Sequence, residues 1–242
     1  MKSIKALLLG SAAGLVMTGA ASAADLRGSL LPPTNYSTWS GLYFGVNGGY
    51  AWTDEPVVFS IVGVRPTASG GLFGGQVGYN LQWTPDWVFG VEADLDWADI
   101  YGQTRVYSPF EAAATQRIDV LGTLRGRVGY VLDDVLLYGT AGVAYGKTEL
   151  GSAASQTFGG LCDPLGFCAS TASAKWMVGW AAGVGFDWSF MPRWSFRSEY
   201  LHYDLGSHTQ TLTDPYSLTG SLGVASNFRG DIVRGAVNFK FR

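Results

Sequence analysis

One short stretch of the sequence spaces three carboxylates two residues apart. Glu92, Asp94 and Asp96 alternate with the apolar residues Ala93, Leu95 and Trp97. Because successive side chains of a β-strand point to opposite faces, this spacing predicts a strand with one acidic and one apolar face. Neighbouring carboxylates can serve as a general acid and base, whereas carboxylates removed from water need cationic partners. The chemistry therefore depends on which face points inward.

Arginines with the same spacing could supply those partners. Arg125 and Arg127 lie two residues apart on a later predicted strand. If the two strands pair antiparallel at matching depth, Glu92 lies opposite Arg127 and Asp94 lies opposite Arg125, whereas Asp96 has no assigned partner. Arg197 and Glu199 share a face further on, and Glu199 could reach Arg234. The predicted inward network comprises Glu92, Asp94, Arg125, Arg127, Arg197, Glu199 and Arg234.

Other residues could support nucleophilic or ligand chemistry. Ser198 and His202 share the other face of their predicted strand, but four residues of strand separate them by roughly 13 Å, too far for a hydrogen bond. With no acid expected in phase, the sequence predicts no catalytic residues. His208 falls in a predicted loop and is a weak candidate haem ligand. No metal and no cofactor are expected.

Two cysteines enclose a short segment with Pro and Gly. Cys162 and Cys168 are separated by five residues, and no histidine lies nearby to complete a metal site. An exported location permits a disulfide, so this pair predicts a loop staple.

The N-terminus predicts export. Lys2 and Lys5 precede an apolar run from Ala6 to Val16, and Ala21-Ser22-Ala23 has the small-x-small pattern of a cleavage site. Residues 1–23 are therefore predicted to be a signal peptide, and residues 24–40 a periplasmic extension. Loss of the two lysines would leave 14 basic and 19 acidic groups. This acidity argues against nucleic acid as a partner.

The remaining residues, 41–242, alternate with period two in eight segments. Long connections at about 54–69, 99–115, 148–173 and 206–229 follow the odd strands, and short turns follow the second, fourth and sixth. This rhythm predicts an all-β fold, an eight-stranded antiparallel transmembrane β-barrel with short periplasmic turns and long external loops. The apolar faces carry too many Trp and Phe for so narrow a lumen, so they should face lipid.

Several segments resemble a known family. They are Trp39–Gly45, Gly74–Asn80, Gly90–Asp94, Leu121–Tyr130 and Glu199-Tyr200. They are similar to the RopB-like alphaproteobacterial outer-membrane surface proteins, a group with an OmpA-like eight-stranded barrel. The resemblance implies a structural or porin-like surface protein in the outer membrane of a Gram-negative bacterium. The partners it implies are outer-membrane lipid, lipopolysaccharide, the barrel-assembly machinery and an external ligand or host surface.

The inward charges then have two interpretations. They could form an ion pathway, which would make the protein a small low-conductance porin. Alternatively, they could pair with each other and fill the lumen, which would make the protein a structural surface protein. Because eight strands leave an interior that side chains can fill, the second interpretation is favoured. A lipid-modifying enzyme is a further, weaker alternative.

Overall fold

The computed structural model describes residues 39–53, 57–59, 62–64, 67–106, 111–155, 168–213 and 221–241. The predicted signal peptide, nearly all of the predicted extension and Cys162 lie outside these residues. Within the described part of the chain, no helix is both long and apolar enough to cross a membrane.

Ten strands form one antiparallel sheet whose eight long members close into a ring. Ring closure comes from β1, which pairs with both β4 and β10. The strands are β1 (Gly41–Thr53), β2 (Val57–Phe59), β3 (Val62–Val64), β4 (Ala68–Gln82), β5 (Trp87–Val106), β6 (Glu111–Leu132), β7 (Val135–Ser155), β8 (Cys168–Met191), β9 (Trp194–Thr213) and β10 (Ser221–Lys240). The predicted eight-stranded barrel is confirmed, with β2 and β3 as an additional small hairpin against β10.

Tight turns join the strands at one end of the barrel, as the sequence predicts. Only Asp133 and Asp134 separate β6 from β7, and Asp133 has a φ of 52°. Asp tolerates this left-handed conformation because its short polar side chain can bond locally.

The outer wall of the barrel is apolar and aromatic, and this confirms the predicted orientation. Trp97 is 66% exposed, whereas Asp96 beside it is 1% exposed. At the turn end, Phe44, Phe239 and Phe241 form a ring cluster with Trp194, and Trp87 packs edge-on against Tyr130. Aromatic rings at strand ends are typical of the interfaces of membrane-spanning barrels.

The strands extend well past the lengths that the sequence predicts. β5 to β10 contain 20 to 24 residues each, whereas crossing a bilayer takes about 9–11. Much of the predicted connections 99–115, 148–173 and 206–229 is therefore paired strand. The sequence predicts loops here because polar residues interrupt the period-two alternation. In the structure, pairing with neighbouring strands and an inner apolar cluster stabilise these segments as strands.

A bulge reverses the faces of β6 near its external end. The register with β7 shifts between Ile118 and Val120, so that Asp119 is an extra residue. Unbroken alternation with Arg125 and Arg127 would turn Arg117 and Asp119 inward, but they form an ion pair of 2.7 Å on the outside, and Ile118 points inward. One inserted residue moves every later side chain to the opposite face. A search for strict alternation along the sequence cannot detect such an insertion.

The lumen has an apolar layer that the sequence analysis did not predict. Above the inward charges, toward the external end, buried aliphatic and aromatic side chains fill the barrel. The layer includes Leu72, Ile100, Ile118, Leu121, Leu150, Met177, Leu205 and Phe228. The external half of the barrel is thus packed like a soluble protein core, and the charges lie between this layer and the turn end.

Candidate functional site

Nine charged side chains meet inside the barrel, and none is more than 4% exposed. Strands β5, β6, β8, β9 and β10 contribute them, since each strand turns its polar face inward at this depth. The cluster is called the ionic plug below, and it consists of Glu92, Asp94, Asp96, Arg125, Arg127, Asp187, Arg197, Glu199 and Arg234.

Arg125 lies at the centre of the ionic plug. Its Nη2 atom lies 2.8 Å from Glu92 Oε1 and 2.9 Å from Asp94 Oδ2, and its Nη1 atom lies 3.0 Å from Glu199 Oε1. Its Nε donates to Thr123 Oγ1 at 2.7 Å. Every nitrogen of this guanidinium therefore has a partner, as a buried arginine requires.

Arg234 joins the same carboxylates from the opposite side of the lumen. Its Nη2 lies 2.7 Å from Glu199 Oε2 and 3.1 Å from Asp94 Oδ2. Its Nη1 lies 3.1 Å from Asp96 Oδ2. The carboxylate left without a partner in the sequence analysis is thus paired across the barrel, which a comparison of adjacent strands could not reveal.

The remaining two arginines bind nearer the turn end. Arg197 forms an ion pair with Glu92 and lies 2.9 Å from Asp187 Oδ2. Arg127 lies 3.7 Å from each of these carboxylates, and its guanidinium carbon lies 3.9 Å from the centroid of the Tyr138 ring. A guanidinium over a ring face gains a cation–π interaction.

Two tyrosines complete the network. Tyr138 donates its hydroxyl to Glu199 Oε1 at 2.9 Å. Tyr43 donates to Glu92 and accepts from Arg127 Nη1 at 3.0 Å. The sequence analysis gave no role to either tyrosine or to Asp187. Their polar groups alternate in step with the inward-facing positions of their strands, and this pattern could have predicted that they join the network.

The predicted pairing between the acidic and arginine strands is wrong by two residues. Glu92 pairs with Arg125 and Gly90 with Arg127, whereas Asp94 lies opposite Thr123. Shifting the register of two strands by two residues leaves every side chain on the same face. The hydrophobic pattern therefore cannot distinguish between these two registers. Between β9 and β10, Glu199 lies directly opposite Arg234, which agrees with the contact expected from the sequence.

Inward glycines make room for these long side chains. A Cβ atom on Gly185 would lie 2.6 Å from the Tyr138 hydroxyl and 2.7 Å from Ser198 O. Such separations are closer than packed atoms tolerate, so the glycine is needed for the tyrosine to lie flat across the lumen.

An amide network borders the ionic plug. Gln76 accepts from Asn47 Nδ2 at 3.3 Å and donates to Asn238 Oδ1 at 2.6 Å. Because these side chains are buried, the lumen is polar around the charges but filled.

The arrangement does not suit acid–base chemistry. Glu92 contacts arginines through both carboxylate oxygens, Asp94 contacts two arginines through Oδ2, and both side chains are buried away from any substrate. A general base instead needs a free oxygen within reach of a substrate. The geometry suits a fixed structural cluster.

Outside the barrel, His202 has an acid partner that the sequence analysis denied it. Its Nδ1 lies 2.8 Å from Asp231 Oδ1, and Tyr200 donates to the same oxygen at 2.6 Å. The error arose because Asp231 lies on β10 directly across from His202, outside the strand that was compared. Ser198 lies on the same outward face, paired with Gly235 rather than with a base.

His208 is not in a loop. It lies in the external part of β9, it is buried, and its Nε2 lies 3.0 Å from Ser173 Oγ. Among the described residues, no group of three or more His, Cys, Asp or Glu side chains could hold a metal ion.

A closed ring of antiparallel strands with an apolar wall and an ion-paired interior defines a membrane-spanning β-barrel. The family described as "Outer membrane protein beta-barrel domain" matches residues 11–241, and the chain belongs to this family.

Relatives and a solved structure agree with this assignment. The chain is 30% identical to the 31 kDa outer-membrane immunogenic protein of Brucella melitensis, over 98% of this chain and 100% of the relative. It is 29% identical to the 25 kDa outer-membrane immunogenic protein of Brucella abortus, over 100% of both chains. The crystal structure of OprG from Pseudomonas aeruginosa superposes with a TM-score of 0.56 at 17% identity, covering 86% of this chain and 100% of that one.

These findings confirm the predicted family, location and broad function. The protein is an integral outer-membrane surface protein of a Gram-negative bacterium. Its apolar wall consequently meets the lipid and lipopolysaccharide of that membrane.

Proposed function

We propose that the protein is a sealed structural barrel that contributes to envelope integrity and presents its external strands and loops to the surroundings. The observation that supports this proposal is that four buried arginines each lie within ion-pair distance of carboxylates inside the lumen. An ion that passed through would have to separate these pairs and leave buried charges unpartnered. Breaking a buried pair by removing one partner costs about 3–5 kcal/mol, so passage would be slow.

The apolar layer supports the same proposal independently. Leu121, Leu150 and Met177 lie between the ionic plug and the external end, and all are buried. A hydrated ion entering from outside would meet this packed layer before it reached any charge. A small low-conductance porin is the alternative, and it requires both layers to move.

The role in the envelope can be tested in the source bacterium. A strain without the gene should admit more of an apolar fluorescent probe such as N-phenyl-1-naphthylamine, and the wild-type gene should restore the barrier. A matched complement that carries Arg117→Ala, an exposed substitution, should restore it equally. Unchanged probe entry in the deletion strain, with the same total outer-membrane protein content, would contradict a structural role.

We further propose that the protein is not an enzyme. This proposal is supported by the separation of Ser198 from His202 along β9 and by the engagement of His202 with Asp231. A lipid-modifying enzyme would change the acyl chains of lipid A. Mass spectrometry of lipid A from the deletion and wild-type strains should therefore give identical species, and a mass difference that the gene restores would establish an enzyme.

The remaining parts of the proposal concern export and assembly. Cleavage after Ala23 would leave residues 24–40 as a periplasmic extension, and the barrel-assembly machinery would insert residues 41–242. The intact mass of the protein purified from membranes tests the cleavage. The same mass, measured with and without reduction and alkylation, tests the proposed disulfide between Cys162 and Cys168.

A further inference from the structure

The external ends of β9 and β10 share an irregularity in their backbones. Gly206 on β9 has a φ of 85°, and the register with β10 shifts between Asn227 and Arg229 at the same level. Both irregularities lie between the pairs Asp204–Arg229 and Ser207–Asn227. Two adjacent strands thus depart from regular geometry at one level, which is where a hinge could lie. The segment beyond it, Ser207–Thr213 with Ser221–Asn227, is called the lid below.

The lid is separated from the wall on one side. β8 and β9 pair from the turn end up to Trp180 and Asp204, and their described residues beyond that level make no backbone pairs with each other. The barrel wall is therefore continuous between the turn end and the level of Trp180, and it is split between β8 and β9 beyond that level. This split leaves the lid attached through its hinge and, along β10, through the pairing of Val224–Ser226 with the short strand β2, so the β2–β3 hairpin would move with the lid.

Side chains take over where the backbone ladder stops. Ser173 donates to Gln210 Oε1 at 2.7 Å, and Gln210 Nε2 donates to Ser152 Oγ at 2.6 Å, which joins the lid to β8 and β7. Ser226 of the lid accepts from Gln116 on β6. A few side-chain hydrogen bonds, unlike a backbone ladder, can open without unfolding the barrel.

The lid covers the apolar layer of the lumen. Leu212 and Val224 of the lid point inward and are almost fully buried in the same cluster as Leu150 and Phe228. Opening of the lid would therefore expose an apolar chamber to the external medium, while the ionic plug below it stays closed.

His208 is the titratable contact in this closure. Because the Ser173 hydroxyl hydrogen points to Gln210, Ser173 Oγ accepts from His208 Nε2–H at 3.0 Å. Nδ1 then carries no proton, and it is buried without a hydrogen-bond partner among the described residues. Protonation would place a new N–H and a charge where nothing accepts them.

The surroundings of the ring also oppose its charge. The positive charge of Lys175 on β8 acts on the His208 ring. Phe228 of β10 packs against this ring with a centroid separation of 6.2 Å, and Ser226 of β10 is the cross-strand neighbour of His208. Burial first, and then Lys175, lower the pKa of His208 below its ordinary value of 6.5.

We propose that the external β9–β10 hairpin is a hinged lid that opens when His208 takes up a proton. The closed lid holds a neutral imidazole, whereas the open lid exposes it to water, where it binds a proton more readily. The open state therefore gains protons as the pH falls below about 6.5, and the closed state is favoured at higher pH.

Hydrogen–deuterium exchange of the mature protein in lipid nanodiscs tests the lid. Protection factors, which remove the effect of pH on intrinsic exchange, should fall for the lid between pH 7.5 and pH 5.0. The fall should be at most about thirtyfold, because an imidazole with a pKa near 6.5 is almost fully protonated at pH 5.0. Residues 194–203 of β9, below the hinge, should not respond.

Three variants separate the proposal from general acid sensitivity. His208→Gln keeps a donor for Ser173 but cannot be protonated, so the pH response should vanish. Lys175→Gln makes protonation of the closed state easier, so the response should shrink. His202→Gln changes the other histidine of the chain, outside the lid, and the full response should remain.

The proposal is overturned if wild-type lid protection is independent of pH, or if His208→Gln retains the response. If the His208→Gln variant does not fold, the Lys175→Gln variant decides, since an undiminished response would exclude His208 as the sensor.

Discussion

Arg125 shows why single residues of the ionic plug carry so much of the stability. It contacts Glu92, Asp94 and Glu199, and its side chain is fully buried. Replacement by alanine leaves three buried carboxylates with fewer cations to pair with.

Arg125→Ala should therefore lower the free energy of unfolding by about 3–5 kcal/mol. Urea unfolding of the barrel in lipid vesicles, followed by tryptophan fluorescence, measures the change. Arg117→Ala on the same strand is the matched control, because Arg117 is half exposed and should change stability by no more than about 0.5 kcal/mol. Equal midpoints for the two variants would contradict a stabilising plug.

Tyr138 allows its two contributions to be separated. Tyr138→Phe removes the hydrogen bond to Glu199 but keeps the ring beneath Arg127, so a loss of about 1–3 kcal/mol is expected. Tyr138→Ala also removes the ring and leaves a cavity, so its loss should be clearly larger. The same urea measurement compares them, and an equal loss for both would show that the ring does nothing for Arg127.

At the scale of the strand, the inward glycines are as necessary as the charges. Gly185 faces the lumen, where a Cβ would meet Tyr138, whereas the nearest atom to a Cβ on the outward Gly126 is Ala141 O at 3.9 Å.

Gly185→Ala should consequently destabilise the barrel by about 1–3 kcal/mol through overpacking. Gly126→Ala, in contrast, should be neutral or stabilise it by up to about 1 kcal/mol, because alanine restricts the unfolded chain more than glycine does. Unfolding midpoints of the two variants provide the comparison. The explanation fails if Gly185→Ala is as stable as Gly126→Ala.

The strands also show what the sequence could reveal. The alternation around Glu92 and Asp94 was sufficient to identify the strand and its inward face, because burial differs so sharply between the two faces. The exact partner was not accessible, since Glu92 opposite Arg127 and Glu92 opposite Arg125 satisfy the same pattern.

Contacts across the lumen could not be predicted from the sequence for a different reason. The pair between Arg234 and Asp96 joins residues 138 positions apart, and it depends on ring closure and on the stagger of the strands. The bulge at Asp119 was likewise invisible, because one inserted residue has no signature of its own in an alternating segment. Asp231 was missed beside His202 because strand pairs were compared on their inward faces.

At the scale of the whole molecule, the barrel combines two kinds of interior. The ionic plug fills the part nearer the turn end, and the apolar layer fills the external part up to the lid. A wall of exposed apolar side chains surrounds the membrane-spanning part. Paired charges thus fill one part of the interior, and packed hydrocarbon side chains fill the other.

A sealed interior is what distinguishes a structural barrel from a pore. Polar residues alone do not make a channel, because a channel needs space for water and for ions that leave as readily as they enter. The four arginines and five carboxylates of the ionic plug lie at ion-pair distances from one another, so under the proposal a hydrated ion would have to break these contacts to pass.

Single-channel recording in planar lipid bilayers tests this claim most directly. The refolded protein, verified as folded by its shifted gel mobility before boiling, should give no reproducible conductance steps over hours, while a general porin in the same lipid gives regular steps. Uniform steps from the wild-type protein, with a current proportional to voltage, would contradict the sealed lumen and establish a porin.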